Sequence, residues 1–248
     1  MADEQPRKAE SSLPGRAEEP AEVESRDPQF VALLESAAHL QRLVSGAVLV
    51  GGAAAILYAD HRESRDHDHV LADLADRFEM VLEAVEEDEG WATNRVTPGK
   101  VILGNLDGVE AGVRQMIRQV PLEVAEVTLP SGGKVTVPTA EETLRIKAFL
   151  VVRRNQTRDY LDLAALSEHL GVDRAAEALA KIDDYYADQG EDADGVASQL
   201  VRQLSDPQPA DRSVIDQLSS YRRLRKLWSD WGAVTDVLGA VAVRIVDP

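Results

Sequence analysis

The sequence predicts an α+β fold in which a mixed β-sheet carries helices and is followed by a C-terminal helical bundle. Segments with helical and strand-like patterning alternate up to about residue 138, and turn signals typical of hairpins separate the later strands. From Thr139 onward the patterning is helical almost throughout. We therefore divide the chain into a tail (residues 1–28), an α+β domain (residues 29–138) and a helical domain (residues 139–248).

Residues 1–28 are rich in Glu, Pro, Ala and Ser and contain almost no large apolar residue. Such a segment cannot bury enough surface to offset the entropy lost on ordering, so we predict a disordered tail. It lacks the apolar core of a signal peptide. The longest mostly apolar run, residues 47–59, is interrupted by two glycines and is too short to span a bilayer. We expect a cytoplasmic protein that does not associate with membranes.

The composition limits the chemistry that is available. An apolar content of 44% is sufficient for a sizeable core, and the absence of cysteine excludes disulfides and thiolate chemistry. The formal net charge of −17 argues against general affinity for nucleic acid. Two basic stretches, at residues 145–158 and 222–226, nevertheless leave room for a basic groove on an acidic body.

The elements of the α+β region follow one another in a regular order. After Pro28, apolar residues recur at three- and four-residue steps up to about Gly46, which predicts a helix. Turn signals then separate several short runs rich in β-branched residues. We predict strands at residues 47–50, 66–71, 91–96, 101–103, 109–117, 124–129 and 134–137, and two further helices, from residue 51 to about 60 and from residue 74 to about 90.

The helical region begins at a capping box, Thr139-x-x-Glu142, in which the threonine hydroxyl and the glutamate satisfy the first backbone N–H groups of a helix. Further helices are predicted at residues 158–170, 172–186, 196–204, 211–228 and 231–245.

The stretch with the strongest chemical signal runs from Val48 to Leu71. An apolar strand meets Gly51 and Gly52 at the start of a helix, where free backbone N–H groups and the helix dipole favour a phosphate. Asp66 and Asp68 then lie one residue apart and face the same side of a strand. Two carboxylates that face a phosphate site are what Mg²⁺ and a nucleoside triphosphate require.

This pattern resembles the signature of the polymerase-β-like nucleotidyltransferase superfamily, in which a glycine corner precedes an Asp-x-Asp strand. Over residues 45–170 the chain is most similar to the bacterial branch related to the AbiE abortive-infection toxins and the mycobacterial MenT toxins. The resemblance implies a Mg²⁺-dependent enzyme that moves NMP from an NTP to an acceptor. It further implies the 3′ end of a tRNA as the leading acceptor and a separately encoded antitoxin as a partner.

The superfamily places a third carboxylate on a neighbouring strand, and Glu110 within Val109-Glu110-Ala111 fits that pattern. We therefore predict that Asp66, Asp68 and Glu110 bind the metal. Asp107 is the alternative, although turn preference already explains an aspartate there. Arg114 shares the face of Glu110 and is expected either to meet phosphate or to pair with a carboxylate.

The resemblance also assigns residues in the helical region. Lys147 is expected to bind the triphosphate, Arg154 shares its helix face, and Asp159 belongs at the rim of the active site. Asp162 matches the second aspartate of the family's later motif, three residues after Asp159, and the alternatives for it are a surface position or a pair with Arg158. Ser64, two residues before Asp66, matches a serine that is common in these toxins. It is either part of the nucleotide site, modified when the enzyme is silenced, or a loop serine.

Two alternatives stay open at this stage. His61, His67 and His69 lie near Asp66 and Asp68, so that a zinc-dependent hydrolase is conceivable. On a strand, however, His67 and His69 face away from the aspartates. The second alternative is a catalytically silent nucleotide-binding or regulatory module that keeps the fold.

Overall fold

The computed structural model describes Val23, residues 26–189 and residues 195–247. Most of the predicted tail therefore lies outside the described residues. Within that tail, Val23 is buried against the core, and the Asp27 carboxylate accepts a hydrogen bond from the backbone N–H of Gln29 at the start of the first helix.

A five-stranded mixed sheet forms the centre of the α+β region. Its strand order along the sheet is β1-β2-β5-β4-β3, and only the β2–β5 pair is parallel. A separate antiparallel hairpin, β6–β7, packs beside it. The strands are β1 (Val48–Val50), β2 (Asp66–Leu71), β3 (Trp91–Thr97), β4 (Val101–Leu106), β5 (Val109–Gln115), β6 (Val124–Thr128) and β7 (Lys134–Pro138).

The first helices pack against the strands, and the later helices form the C-terminal bundle, as predicted. The Thr139 side chain accepts a hydrogen bond from the Glu142 N–H, as expected for the predicted cap. The glutamate half of the capping box is wrong, because the Glu142 carboxylate pairs with Arg118 and Arg145, and the Thr139 N–H donates to the Glu123 C=O. The helices are α1 (Pro28–Leu43), α2 (Gly51–Ala59), α3 (Phe78–Glu86), α4 (Ala140–Arg154), α5 (Thr157–Leu170), α6 (Val172–Ala180), α7 (Ile182–Tyr186), α8 (Val196–Ser205) and α9 (Trp231–Val246).

Two of the helix predictions differ from the structure. The segment 172–186 is divided at Lys181 into α6 and α7. The helix predicted at 211–228 is wrong, because that region contains two 3-10 segments, Arg212–Ser220 and Lys226–Ser229. Between them the backbone bonds to a distant loop: Arg222 C=O accepts from Glu63 N–H, and Arg225 N–H donates to His61 C=O. A continuous α-helix there would have to give up these bonds.

Helix α2 connects the two halves of the molecule. Its sequence, GGAAAILYA, is buried on every side from Ala53 onward. Ile56 and Leu57 pack with α1 and the β6–β7 hairpin, whereas Ala55 and Tyr58 pack with the C-terminal helices. The Tyr58 hydroxyl also donates to the Pro138 C=O at 2.7 Å. The glycines that begin α2 are therefore held firmly between the sheet and the bundle.

Candidate active site

Strand β2 presents its aspartates and its histidines on opposite faces. Asp66 and Asp68 are partly exposed, whereas His67 and His69 are buried. Burial lowers the pKa of His67 to about 4 and that of His69 well below its ordinary value, because charging an imidazole away from water is costly. Both rings are therefore neutral at pH 7 and belong to the core.

The glycine corner lies directly beside the aspartates. Gly51 has a φ of +75°, which favours glycine, and a Cβ built there would lie 3.7 Å from the Asp68 side chain. At Gly52, a Cβ would come within 2.7 Å of Arg62 Nη2. The residue before α2, Val50, offers no side-chain cap, so the first N–H groups of the helix are available to a ligand.

These groups open onto a cleft of about 450 Å³ between the sheet and the bundle. The cleft combines a polar side, from β2, β5 and the corner, with an apolar side from α4 and the segment after β5. Of the residues predicted from sequence, those that line it are Gly51, Gly52, Asp66, Asp68, Arg114, Lys147, Arg154 and Asp159.

Glu110 occupies a different position. It is in register with Asp66 on the neighbouring strand, but it is exposed and does not line the cleft. Across the described ranges, no three His, Cys, Asp or Glu side chains are grouped so that they could hold a metal ion. The residue in register with Asp68 is Gly112, where a Cβ would come within 2.9 Å of Asp68 Oδ1. Glu110 as a third ligand stays a prediction.

The two aspartates nevertheless suit Mg²⁺. This ion is usually held by one or two carboxylates together with water and substrate phosphates, rather than by a complete protein cage. Asp66 and Asp68 share one face of β2, and the missing side chain at Gly112 leaves space beside Asp68. The turn residue Asp107, with φ +51°, faces His39 instead.

Arg114 and Ser64 each contact one of the aspartates. Arg114 Nε donates to Asp68 Oδ1 at 3.1 Å. Of the two roles predicted for Arg114, the structure therefore shows the pair with a carboxylate. The Ser64 hydroxyl donates to Asp66 Oδ1 at 3.3 Å. Ser64 lines two smaller depressions next to the cleft rather than the cleft itself.

Lys147 reaches the cleft from α4 through a buried group of charges. Its Nζ lies 2.7 Å from Asp162 Oδ2 and 3.4 Å from Asp159 Oδ1. Lys147 is 3% exposed and Asp159 is 2% exposed. The second oxygen of Asp159, Oδ2, has no hydrogen-bond partner in the part of the chain that the structure describes. A buried carboxylate oxygen of this kind is available to a ligand or a proton.

Both alternatives for Asp162 are wrong. It is neither at the surface nor paired with Arg158, since it is fully buried and contacts His61, Arg62 and Lys147. Burial alone raises the pKa of Asp162, but the charges of Arg62 and Lys147 outweigh it and hold that pKa well below its usual value. A signal was present: the i, i+3 spacing places Asp159 and Asp162 on the same face of α5.

The histidines do not form the zinc cluster that the sequence left open. His61 Nε2 lies 2.7 Å from Asp162 Oδ1, and His67 Nε2 lies 3.1 Å from Ser36 Oγ, on the face of β2 opposite the aspartates. Burial also lowers the pKa of His61, despite its contact with Asp162.

In this fold a mixed sheet places its two-aspartate strand beside a glycine corner, and a helical bundle lies across the cleft. This is the arrangement expected from the nucleotidyltransferase signature in the sequence. Residues 32–233 match the family model described as "Nucleotidyl transferase AbiEii toxin, Type IV TA system". Because this match spans most of the chain, the chain belongs to the AbiEii nucleotidyltransferase toxin family. The resemblance drawn from the sequence motifs is thereby confirmed.

Two solved structures with a similar fold are proteins of Helicobacter pylori. A putative nucleotidyltransferase is 16% identical and covers 88% of this chain and 94% of its own, with a TM-score of 0.47. JHP933 is 18% identical and covers 90% and 94%, with a TM-score of 0.48.

A curated relative matches a shorter part of the chain. The heme uptake protein MmpL11 of Mycobacterium tuberculosis (strain H37Rv) is 43% identical over 94 residues. This match covers 38% of the present chain and 10% of MmpL11, so the chain spans about a tenth of the length of the curated relatives that it matches. Among the described helices, none has the length and apolar character needed to cross a membrane.

Proposed function

We propose that this protein is a Mg²⁺-dependent nucleotidyltransferase that transfers NMP from an NTP to an RNA acceptor, with the 3′ end of a tRNA as the leading candidate. It acts as the toxin of a toxin–antitoxin pair in the cytoplasm, with a separately encoded antitoxin protein as its partner. The observation that carries the proposal is that Asp66, Asp68, Lys147 and the Gly51–Gly52 corner line one cleft.

The triphosphate is bound by donors from both sides of the cleft. The N–H groups at the start of α2 face one side, and the ammonium of Lys147 faces the other. Arg154 adds a second cation at the mouth of the cleft, and its side chain makes no ion pair within the ranges that the structure describes. Asp66 and Asp68 would hold Mg²⁺, which would supply positive charge to neutralise the phosphates.

Asp159 is placed to take the proton of the attacking hydroxyl. In the transfer, the acceptor oxygen forms a bond to the α-phosphorus, and the bond from that phosphorus to pyrophosphate breaks. The hydroxyl proton must leave at the same time, and Asp159, which lines the cleft and has an unpartnered Oδ2, is the carboxylate that we assign to accept it.

The acceptor side of the proposal rests on a second, basic depression of about 320 Å³ that adjoins the cleft. The two spaces share Asp66, Arg158 and Tyr221, so a group bound in one lies next to the other. Arg158 and Arg222 are exposed and make no side-chain ion pair among the described residues. Guanidinium groups of this kind suit the phosphates of RNA despite the acidic net charge.

Incubation of the purified protein with each of four α-³²P-labelled NTPs, Mg²⁺ and total RNA tests this function. We expect label in an RNA band for at least one NTP, and none with Asp66→Ala or when Mg²⁺ is chelated. Arg158→Ala with Arg222→Ala should weaken RNA labelling and reduce its salt dependence. Absence of transfer, together with absence of metal-dependent NTP binding, would rule out the proposal.

A second candidate is a catalytically silent nucleotide-binding or regulatory module of the same fold. The observation that favours it is the pairing of Asp68 with Arg114, together with the position of Glu110 outside the cleft. NTP binding that persists in Asp66→Ala, combined with no turnover in the wild-type protein, would establish this candidate instead.

A further inference from the structure

One carboxylate, that of Asp162, connects three separate segments of the chain. Arg62, in the loop between α2 and β2, donates to it in a bidentate manner, from Nε to Oδ1 at 2.7 Å and from Nη2 to Oδ2 at 2.9 Å. His61 from the same loop lies 2.7 Å from Oδ1, and Lys147 from α4 lies 2.7 Å from Oδ2. Both oxygens of this α5 residue are therefore fully used.

The charges of this group balance within the protein. Arg62 and Lys147 supply two positive charges, and Asp159 and Asp162 supply two negative charges. Because burial keeps His61 neutral, the group has no net charge. A buried ionic group persists only when its members are paired in good geometry, so each member holds the others in place.

Two members of the group reach the triphosphate site from opposite sides. Lys147 lines the cleft, and Arg62 lies over the glycine corner, within 2.7 Å of where a Cβ on Gly52 would stand. Asp162 itself does not line the cleft. Asp162 therefore does not contact substrate. It contacts Lys147 and Arg62, and these two residues determine the distance between the lysine ammonium and the glycine corner.

We propose that Asp162 is a positioning residue that holds Lys147 and the Gly51–Gly52 corner at the separation that a bound triphosphate requires. This inference rests on the proposed function and deepens it. Lys147 has three N–H donors, of which one is directed to Asp162 at 2.7 Å and another makes only a long contact of 3.4 Å to Asp159. The remaining donor capacity is available to a phosphate, provided that Asp162 holds the ammonium in the cleft.

Inorganic tripolyphosphate with Mg²⁺ is the appropriate probe, because it contains the phosphates without a base whose identity is unknown. Calorimetry would give its dissociation constant for the wild-type protein, Asp162→Asn and Leu166→Ala. Asp162→Asn should weaken binding by at least about tenfold, since small displacements of positioning groups cost up to about a hundredfold. Leu166→Ala, a cavity in the same helix, should keep the wild-type constant although it also lowers stability.

A double-mutant cycle separates positioning from general destabilisation. If Asp162 acts through Lys147, Asp162→Asn should have a clearly smaller effect in a Lys147→Gln background than in the wild-type protein. Equal effects in both backgrounds would overturn the inference, because they would mean that the two residues influence triphosphate binding independently.

Arg62→Lys provides the test if Asp162→Asn does not fold, as judged by far-UV circular dichroism. Lysine keeps the positive charge near Gly52 but cannot form the two parallel bonds to Asp162. We expect a several-fold weaker affinity for magnesium tripolyphosphate, and wild-type affinity in this variant would refute the inference.

The two proposals fail in distinguishable ways. If the wild-type protein binds neither tripolyphosphate nor any NTP, the proposed function is wrong and the inference falls with it. If the wild-type protein binds and transfers while folded Asp162→Asn binds equally well, only the positioning role is wrong.

Discussion

Two sets of carboxylates in this protein lie in opposite environments. Asp66 and Asp68 are partly exposed on β2, and within the described residues Asp68 has one side-chain partner, Arg114, which is itself half-exposed. Asp162 is completely buried and is surrounded by Arg62, Lys147 and His61. A carboxylate with unused oxygens can take a ligand from solution, whereas one whose oxygens are filled by protein donors organises the fold. The same residue type thus serves two purposes.

The largest expected effect concerns the exposed pair. Asp66→Ala and Asp68→Ala should each lower the transfer rate by about a thousandfold, because removal of a group that holds the metal removes stabilisation of the transition state. The free energy of unfolding should change by no more than about 0.5 kcal/mol, since neither side chain is buried. Initial rates and urea titrations would measure both quantities.

Glu79→Ala is the matched control for these variants, because Glu79 is an exposed carboxylate on α3 and does not line the cleft. It should keep the wild-type rate and stability. A large loss of stability in Asp66→Ala would mean that the exposed pair is structural as well, and the contrast with Asp162 would disappear.

Substitution of the buried carboxylate, in contrast to that of the exposed pair, should strongly lower the free energy of unfolding. We expect Asp162→Ala to lower the free energy of unfolding by about 3–5 kcal/mol, because it leaves Arg62 and Lys147 buried without their partner. Equilibrium urea unfolding would measure this loss. A change below about 1 kcal/mol would show that water or another group readily replaces the carboxylate, and that the network does not hold the loop to the bundle.

The histidine face of β2 should make the stability of the protein depend on pH. The folded-state pKa of His67 is lowered to about 4 from the ordinary 6.5, so the unfolded chain binds its proton first as the pH falls. Stability is therefore complete above pH 6.5 and declines between pH 6.5 and 4, by up to about 1.4 kcal/mol per pH unit for this residue. His69 acts in the same direction.

His67→Gln should flatten the decline in stability between pH 6.5 and 4, measured by urea unfolding at several pH values. Glutamine does not titrate and can still bond to Ser36. An unchanged slope in the variant would assign the acid sensitivity to other groups, such as His69.

The smallest effect is expected at the ion pair between Arg114 and Asp68. Arg114 and Asp68 are partly exposed, so their pair is weak, and Arg114 competes with a metal ion for Asp68. Arg114→Ala should therefore lower the Mg²⁺ concentration for half-maximal transfer by about two- to fivefold. Arg95→Ala, at an exposed position on β3, is the matched control. A higher Mg²⁺ requirement in Arg114→Ala would instead place Arg114 on the substrate phosphate.

Local patterns in the sequence were sufficient for much of the candidate site. Alternation along residues 66–71 indicated which side chains share a face, and the glycines before α2 indicated the corner, because both depend on backbone geometry over a few residues. Lys147 and Asp159 were assigned by the resemblance to the toxin family, and the fold brings them to the same cleft.

Other features depended on residues far apart in the chain. The partners of Asp162 are 100 positions away at Arg62 and 101 at His61, so that local helix rules suggested Arg158 instead. The segment at 211–228 has the composition of a helix, but backbone bonds to residues 61 and 63 determine its path.

The sequence by itself determined the α+β class, the two-faced β2 strand and the glycine corner, because each is encoded by short-range periodicity or by conformational preference. The family followed from the resemblance of its motifs. Only the tertiary structure determined which carboxylates have oxygens available to a ligand and which have their oxygens bonded to protein donors. That distinction depends on burial and on the donors that distant segments bring, and no local pattern contains either.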